Sequence, residues 1–311
     1  MNYINPINQT KLFGMDNFIN DFIKLDSSNK LPNKILLTGL KGIGKSTLAY
    51  HLINYCLSKN ENFNYDIENY EINTENTSFK TVLNKSNPNL ITIDVNDEKK
   101  SIDINQIREL ILKLNKSSFN SKPRFVLIDN IEFLNINSTN ALLKILEEPT
   151  FNVHFILINN ASEKILPTLY SRCVNYKISL SNSKSIYVAN KLLNGELNKI
   201  INNDLISYYS TPGNIYKLAE FAKLNKYDLS NTKLKEFLMI IFKDEHYKKK
   251  SLIEHLIFDF IQSYFRIIKI ETQSKIFERY DYFLKKISNT KKFNLDEESL
   301  FIELKEEILC E

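Results

Sequence analysis

At 311 residues the chain exceeds the usual size of one domain, which predicts two or three compact units, each with its own core. Apolar residues at 43% and charged residues at 25% exclude a disordered chain, and a formal net charge of +4 is too small to argue for nucleic-acid binding by bulk attraction. The cysteines, Cys56, Cys173 and Cys310, are scattered and odd in number, so they offer neither a disulfide framework nor a CxxC zinc knuckle, and structural thiols in a reducing compartment are expected.

The opening MNYINPINQTKLFG lacks the basic and apolar regions of a signal peptide, and no apolar run approaches membrane-spanning length, so a cytoplasmic protein is expected. Lys34–Thr38 is a short apolar run ending at Gly39. Ser46–Leu57 follows with helical spacing at Leu48, Leu52, Ile53 and Cys56, giving strand, glycine turn, helix. Residues Asn60–Asn87 are polar and weakly periodic and read as a mobile surface excursion. Leu90–Asp94, Phe125–Ile128 and Val153–Ile158 show no polar alternation, the pattern of parallel strands covered on both faces, and Val174–Ile178 is a candidate fifth. Helices are predicted between them over Ile104–Leu114, where Asp103 and Gln106 suit a capping box, and over Thr139–Glu148, closed by Pro149. Alternation of strand and helix predicts a parallel sheet.

Past about residue 180 no strand-like run recurs. Helical spacing continues through Ser185–Leu193, Gly213–Leu224, Leu234–Phe242, Leu252–Ile270, Gln273–Ile287 and Glu297–Leu309. The last helices carry Phe237, Leu256, Phe260, Phe265, Phe277, Phe283 and Phe301, more large apolar side chains than one small bundle obviously needs. Core packing accounts for each singly, and some are candidates for a partner-facing surface.

The sharpest chemical signal is Gly39-Leu40-Lys41-Gly42-Ile43-Gly44-Lys45-Ser46-Thr47, which fits GxxxxGK[ST] between a strand and a helix. Gly39, Gly42 and Gly44 let the backbone curl so that N–H groups face phosphate oxygens. Lys45 would meet the β- and γ-phosphates, with Ser46, the last residue of the motif, on Mg²⁺ and Thr47 beside it as a further nucleotide-binding candidate. Hydrolysis needs a metal-holding acid at a strand end and a carboxylate that orients water; Asp129 supplies the first, but Asn130 follows it, and an amide is a poor general base. The sequence therefore predicts binding of ATP and Mg²⁺ rather than hydrolysis. Glu132, close by, reads as a solvated acid.

Asn140-Ala141-Leu142-Leu143-Lys144-Ile145-Leu146-Glu147-Glu148-Pro149 follows the Asp129 strand, and Leu166-Pro167-Thr168-Leu169-Tyr170-Ser171-Arg172-Cys173 follows the fourth strand. In these two segments the chain resembles the bacterial DNA polymerase clamp-loader subunits of the AAA+ family, in particular the delta-prime type. The resemblance covers the first 178 residues almost throughout and the rest more loosely. It implies an α/β AAA+ module with a five-stranded parallel sheet over residues 1–178, a small helical lid over 179–228 and an all-helical C-terminal collar over 229–311 that holds an oligomer together.

It also implies that Arg172 is an arginine finger acting in trans on a neighbour's ATP, and that Asn159 lies in the first-sensor region beside the nucleotide. The partners implied are clamp-loader motor and delta-type subunits, the sliding clamp and primer-template DNA, with no membrane. Arg108, Lys113 and Lys116 lie on a plausible helix, but with no interleaving of aromatic and basic residues around them they read as a solvated face rather than a DNA contact. Two departures stand out. The zinc-binding cysteines that many members carry between the first helix and second strand are missing, so no zinc is expected, and Asn214, after Thr211-Pro212-Gly213, stands where motor subunits place a second-sensor arginine. A motor subunit of the same complex is the alternative reading, carried by the intact P-loop. A small-metabolite kinase would explain Lys45 and Asp129 but leaves the two signature segments without purpose.

Overall fold

The computed structural model describes residues 5–95, 101–116, 120–148, 151–160, 165–206, 210–248, 252–253, 256–271, 275–293 and 296–306, without the side chains of 268–271, 275–280 and 291–293. It divides into two compact units, Met1–Lys184 and Ser185–Glu311.

In the first unit, β1 (Lys34–Thr38), β2 (Leu90–Ile93), β3 (Arg124–Ile128), β4 (Val153–Asn159) and β5 (Val174–Lys177) form one sheet in the order β2-β3-β4-β1-β5, every pair parallel. Successive side chains of a strand point to opposite faces, and both faces are covered here. Ile35, Leu37, Phe125, Leu127, Ile156 and Ile158 enter one apolar cluster, with helices α1 (Asp16–Ser27) and α2 (Lys45–Ser58). Leu36, Val126, Ile128, Phe155 and Leu157 enter the other, with α4 (Ile104–Leu114) and α5 (Ile136–Glu147). This two-sided burial is why the strands read as unbroken apolar runs. The edge strand β5 is half polar, and its two end residues, Val174 and Lys177, are exposed.

The Asn60–Asn87 segment is anchored, where the sequence suggested a surface excursion. Tyr65, Ile72, Phe79 and Val82 are buried, the last two on the short helix α3 (Thr77–Leu83), which Asn76 caps by accepting the Phe79 N–H. Two polar pairs tie the segment to α2: His51 Nδ1 with Tyr65 Oη at 3.0 Å, and Asn54 with Asn76 through reciprocal amide bonds at 3.2 Å. Satisfying each other inside the core removes most of the cost of burying them. Burial also pushes the His51 pKa down to about 4.

Among the described residues the second unit is helical apart from an isolated bridge: α7 (Asn182–Leu193, entering from the first unit), α8 (Pro212–Asn225), α9 (Leu234–Lys243), α10 (Ile257–Glu271), α11 (Lys275–Phe293) and α12 (Glu297–Leu304), with α6 (Pro167–Tyr170) belonging to the first unit. One apolar cluster runs from Ala189 to Leu304 across this unit. Phe237, Leu256, Phe260, Phe265, Phe283 and Phe301, which seemed in excess for a small bundle, are all buried in that cluster, while the Phe277 side chain lies outside the description. Among the described residues no helix is long and apolar enough to cross a membrane.

Candidate functional site

The P-loop forms where β1 runs out at the sheet's C-terminal edge. Gly39 bridges two strands: its N–H donates to Asn159 O at 3.2 Å, and the Ile178 N–H donates to Thr38 O at 2.7 Å just beside it. A Cβ on Gly39 would lie 2.4 Å from Ile178 O, a collision with backbone that only glycine avoids. Gly42 and Gly44 have φ of 81° and 109°, and the chain enters α2 at Lys45. Leu48 and Ile43 are buried and hold the loop against the first cluster.

Lys45 is buried, and its Nζ donates to Gly39 O and Leu40 O, both at 2.8 Å. Desolvation lowers its pKa to about 8, partly opposed by the nearby charges of Asp129 and Glu132 and reinforced by Lys41. The ammonium therefore lies inside the curl of the loop, where a phosphate would exchange for the two carbonyls. Ser46 Oγ donates to Asp129 Oδ2 at 2.5 Å, so the two groups expected on Mg²⁺ meet, although they lie 83 residues apart. Burial raises the Asp129 pKa and Asp94 adds to the rise, against the Ser46 and Asn130 hydrogen bonds and Lys45. Thr47 is half-buried in the first turn of α2, and Asn159 is buried at the end of β4.

Asn130 takes a left-handed φ of 56°, which asparagine tolerates better than glutamate does. Its side chain clasps three strand ends. Nδ2 donates to Asp94 Oδ1 at 2.6 Å, just past β2, and Oδ1 accepts from Asn160 Nδ2 at 2.7 Å, just past β4. Glu132 is more than the solvated acid it resembled, because its Oε2 accepts the Asn160 N–H at 3.2 Å. Tyr50, one turn beyond Ser46 on α2, has its pKa pushed up to about 12 by burial and by Asp129 and Asp94. Sequence reasoning missed Tyr50 and Asp94. A carboxylate at the end of the strand beside the Asp129 strand was the available signal for the second.

The other corner of interest follows α6. Leu169 is buried and anchors the segment; Arg172 N–H donates to Leu169 O at 3.2 Å. Arg172 Nε and Nη2 both donate to Glu147 Oε1, at 3.1 and 2.5 Å, and Nη1 donates to Thr168 O at 2.9 Å. Asn175 joins this corner to the P-loop strand, accepting from Thr38 Oγ1 at 3.0 Å and donating to Tyr170 Oη at 2.7 Å. Cys173 packs against the second cluster, and burial lifts its pKa to about 11, so it is a neutral packed thiol.

Residues 14–182, more than half of the chain, match the family model described as DNA polymerase III, delta subunit. The chain belongs to the delta-prime type of clamp-loader AAA+ subunits. Curated relatives include proteins named subunit delta', subunit gamma and subunit gamma/tau. It is 31% identical to DNA polymerase III subunit delta' of Buchnera aphidicola subsp. Baizongia pistaciae over 48% of this chain and 45% of that one. To subunit delta' of Escherichia coli it is 27% identical over 49% and 45%. To subunit gamma of Buchnera aphidicola subsp. Schizaphis graminum it is 28% identical over 58% and 48%. The chain thus spans about half the length of the curated relatives it matches. A crystal structure of a DNA polymerase III gamma subunit-related protein from Thermotoga maritima superposes with a TM-score of 0.47 and 18% identity, covering 90% of this chain and 96% of that one.

Within the family frame, Asn214 sits in the first turn of α8, its N–H on Thr211 Oγ1 at 3.4 Å, in the second unit. Arg108 and Lys113 fall on α4 and Lys116 just beyond it. Among the described residues no group of three or more His, Cys, Asp or Glu side chains is arranged to hold a metal ion.

Proposed function

We propose that this chain is the non-motor member of a clamp loader. It would assemble in the cytoplasm with ATP-hydrolysing and delta-type subunits, help place a sliding clamp on primer-template DNA, and donate Arg172 to the ATP site of a neighbouring subunit. The observation that carries the proposal is the contrast between the end of β3 and the segment after α6. Asn130, where water activation calls for a carboxylate, is engaged by Asp94 and Asn160, while Arg172 stands partly exposed on a buried anchor. A delocalised cation at a subunit boundary stabilises charge developing on transferred phosphoryl oxygens. The helical segments over 179–228 and 229–311 would serve as lid and collar, the latter keeping partners at high effective concentration.

The P-loop residues fit MgATP. Gly42 and Gly44 turn the loop through positive φ while Gly39 lets it pass close to Ile178, Lys45 brings a buried cation, and Ser46 with Asp129 would supply oxygen ligands for Mg²⁺. Bound nucleotide would supply triphosphate charge that this chain's loop and helix dipole neutralise, and it would order this subunit rather than be consumed by it. The alternative, a motor subunit of the same complex, is favoured by the intact P-loop with its paired Ser46 and Asp129 and opposed by Asn130 and Asn214.

The test is a reconstituted complex in which only the ATP site abutting this chain retains its own loop lysine. Turnover that collapses with Arg172→Ala in this chain, while the complex still assembles, supports donation in trans. Unchanged turnover would overturn it.

A further inference from the structure

We infer that Glu147 is a positioning residue for Arg172, holding the guanidinium so that its remaining donors face out of the chain toward a phosphate. This rests on the reading of Arg172 as a donor to a neighbour's ATP. A guanidinium has five N–H groups. Three are used here: Nε and one on Nη2 by Glu147 Oε1, and one on Nη1 by the carbonyl of Thr168, four residues back. Glu147 takes the side edge of the fork. Thr168 takes one donor of Nη1. One N–H on each of Nη1 and Nη2 is left, which together make the end of the fork, the edge that grips two oxygens of one phosphate.

The choice of residue at 147 supports a role beyond folding. Glu147 is the last residue of α5, where the helix dipole and the unsatisfied carbonyls disfavour a carboxylate and favour a cation. With side-chain exposures of 33% for Arg172 and 52% for Glu147, the pair is open to solvent, and such pairs add little to stability. A locally unfavourable acid in a pair that contributes little to stability is the kind of exception that functional sites carry. What the pair does secure is direction. Arginine loses much rotamer freedom when it is held at a boundary, and two anchors on one guanidinium meet that cost before any phosphate arrives.

The test uses the same single-site complex, with kcat and KM for ATP measured separately. Glu147→Ala is expected to lower kcat about tenfold with KM for ATP changed less than about twofold, since binding belongs to the neighbour's loop and only the transition-state contact is loosened. Glu147→Gln keeps an Oε1 acceptor and is expected to stay within about threefold of wild type. Adding Glu147→Ala to Arg172→Ala should produce no further loss. A kcat that stays at the wild-type value or rises in Glu147→Ala, in a complex where Arg172→Ala abolishes turnover, would overturn the inference; a rise would identify Glu147 as a competitor that restrains the arginine. If Arg172→Ala itself changes nothing, the failure lies with donation in trans.

Discussion

The two ends of the chemistry in the first unit are built on opposite terms. At the P-loop corner the functional groups bind one another: Lys45 its own loop carbonyls, Ser46 Asp129, and Asn130 the strand-end residues on either side. At the α6 corner a single, partly exposed arginine is fixed by Glu147 and Thr168 through three of its five N–H groups. On the proposed reading the first corner would hold a nucleotide and the second would reach a neighbour's. Asn175, bonded to both Thr38 and Tyr170, links them, so ordering of the loop strand has a route to the arginine segment.

The largest effect that could break this contrast is expected from Arg172→Lys. A lysine keeps the charge but has no fork, so turnover at the abutted site should fall on the order of a thousandfold; near-normal turnover would mean that charge alone suffices. Gly39→Ala drives a Cβ into Ile178 O and should cost the first unit about 3 kcal/mol in urea unfolding, since backbone must shift.

Lys45→Met probes the holding corner by its pH dependence. The Lys45 pKa in the folded chain, about 8, lies below its ordinary 10.5, so the folded state binds its proton less readily than the unfolded chain does. That penalty is present in full below pH 8 and fades as pH rises toward 10.5. The variant should therefore be more stable than wild type at pH 7, by about 2 kcal/mol, and the gain should shrink through that window. On the proposed reading, binding of MgATP would run the other way, since it would need the cation, and should weaken above pH 8. Asn130→Glu should produce the smallest change. It should cost about 1–2 kcal/mol through left-handed strain and repulsion from Asp94 and Asp129, without turnover appearing in the isolated chain. Turnover restored by that single change would show that a missing base is all that separates this corner from a motor.

The inner strands β1, β3 and β4 were legible because they are buried on both faces, which leaves a short apolar run between turn signals. Boundaries moved where a cap decides them: α5 begins at Ile136 because Asn135 accepts the Ser138 N–H, three residues before the expected start. α1 went unread because its N-cap, Met15, makes no side-chain cap and so carries no start signal. In the Asn60–Asn87 segment only the short helix α3 carries a local period, through Phe79 and Val82, while the polar anchors of the segment, Tyr65 and Asn76, find their partners His51 and Asn54 on α2. In the site, the glycine loop and Asp129 could be read from local spacing. Glu147 with Arg172, and Asp94 with Asn130, could not, because each pair is assembled by the parallel sheet from segments 25 and 36 residues apart.

The most direct measurement compares Arg172→Ala with Lys45→Ala in the reconstituted complex, with clamp and primed DNA present and assembly verified. The account predicts that Arg172→Ala removes turnover at the abutted site while Lys45→Ala leaves it near wild type. Loss with Lys45→Ala and none with Arg172→Ala would contradict it and make this chain a motor.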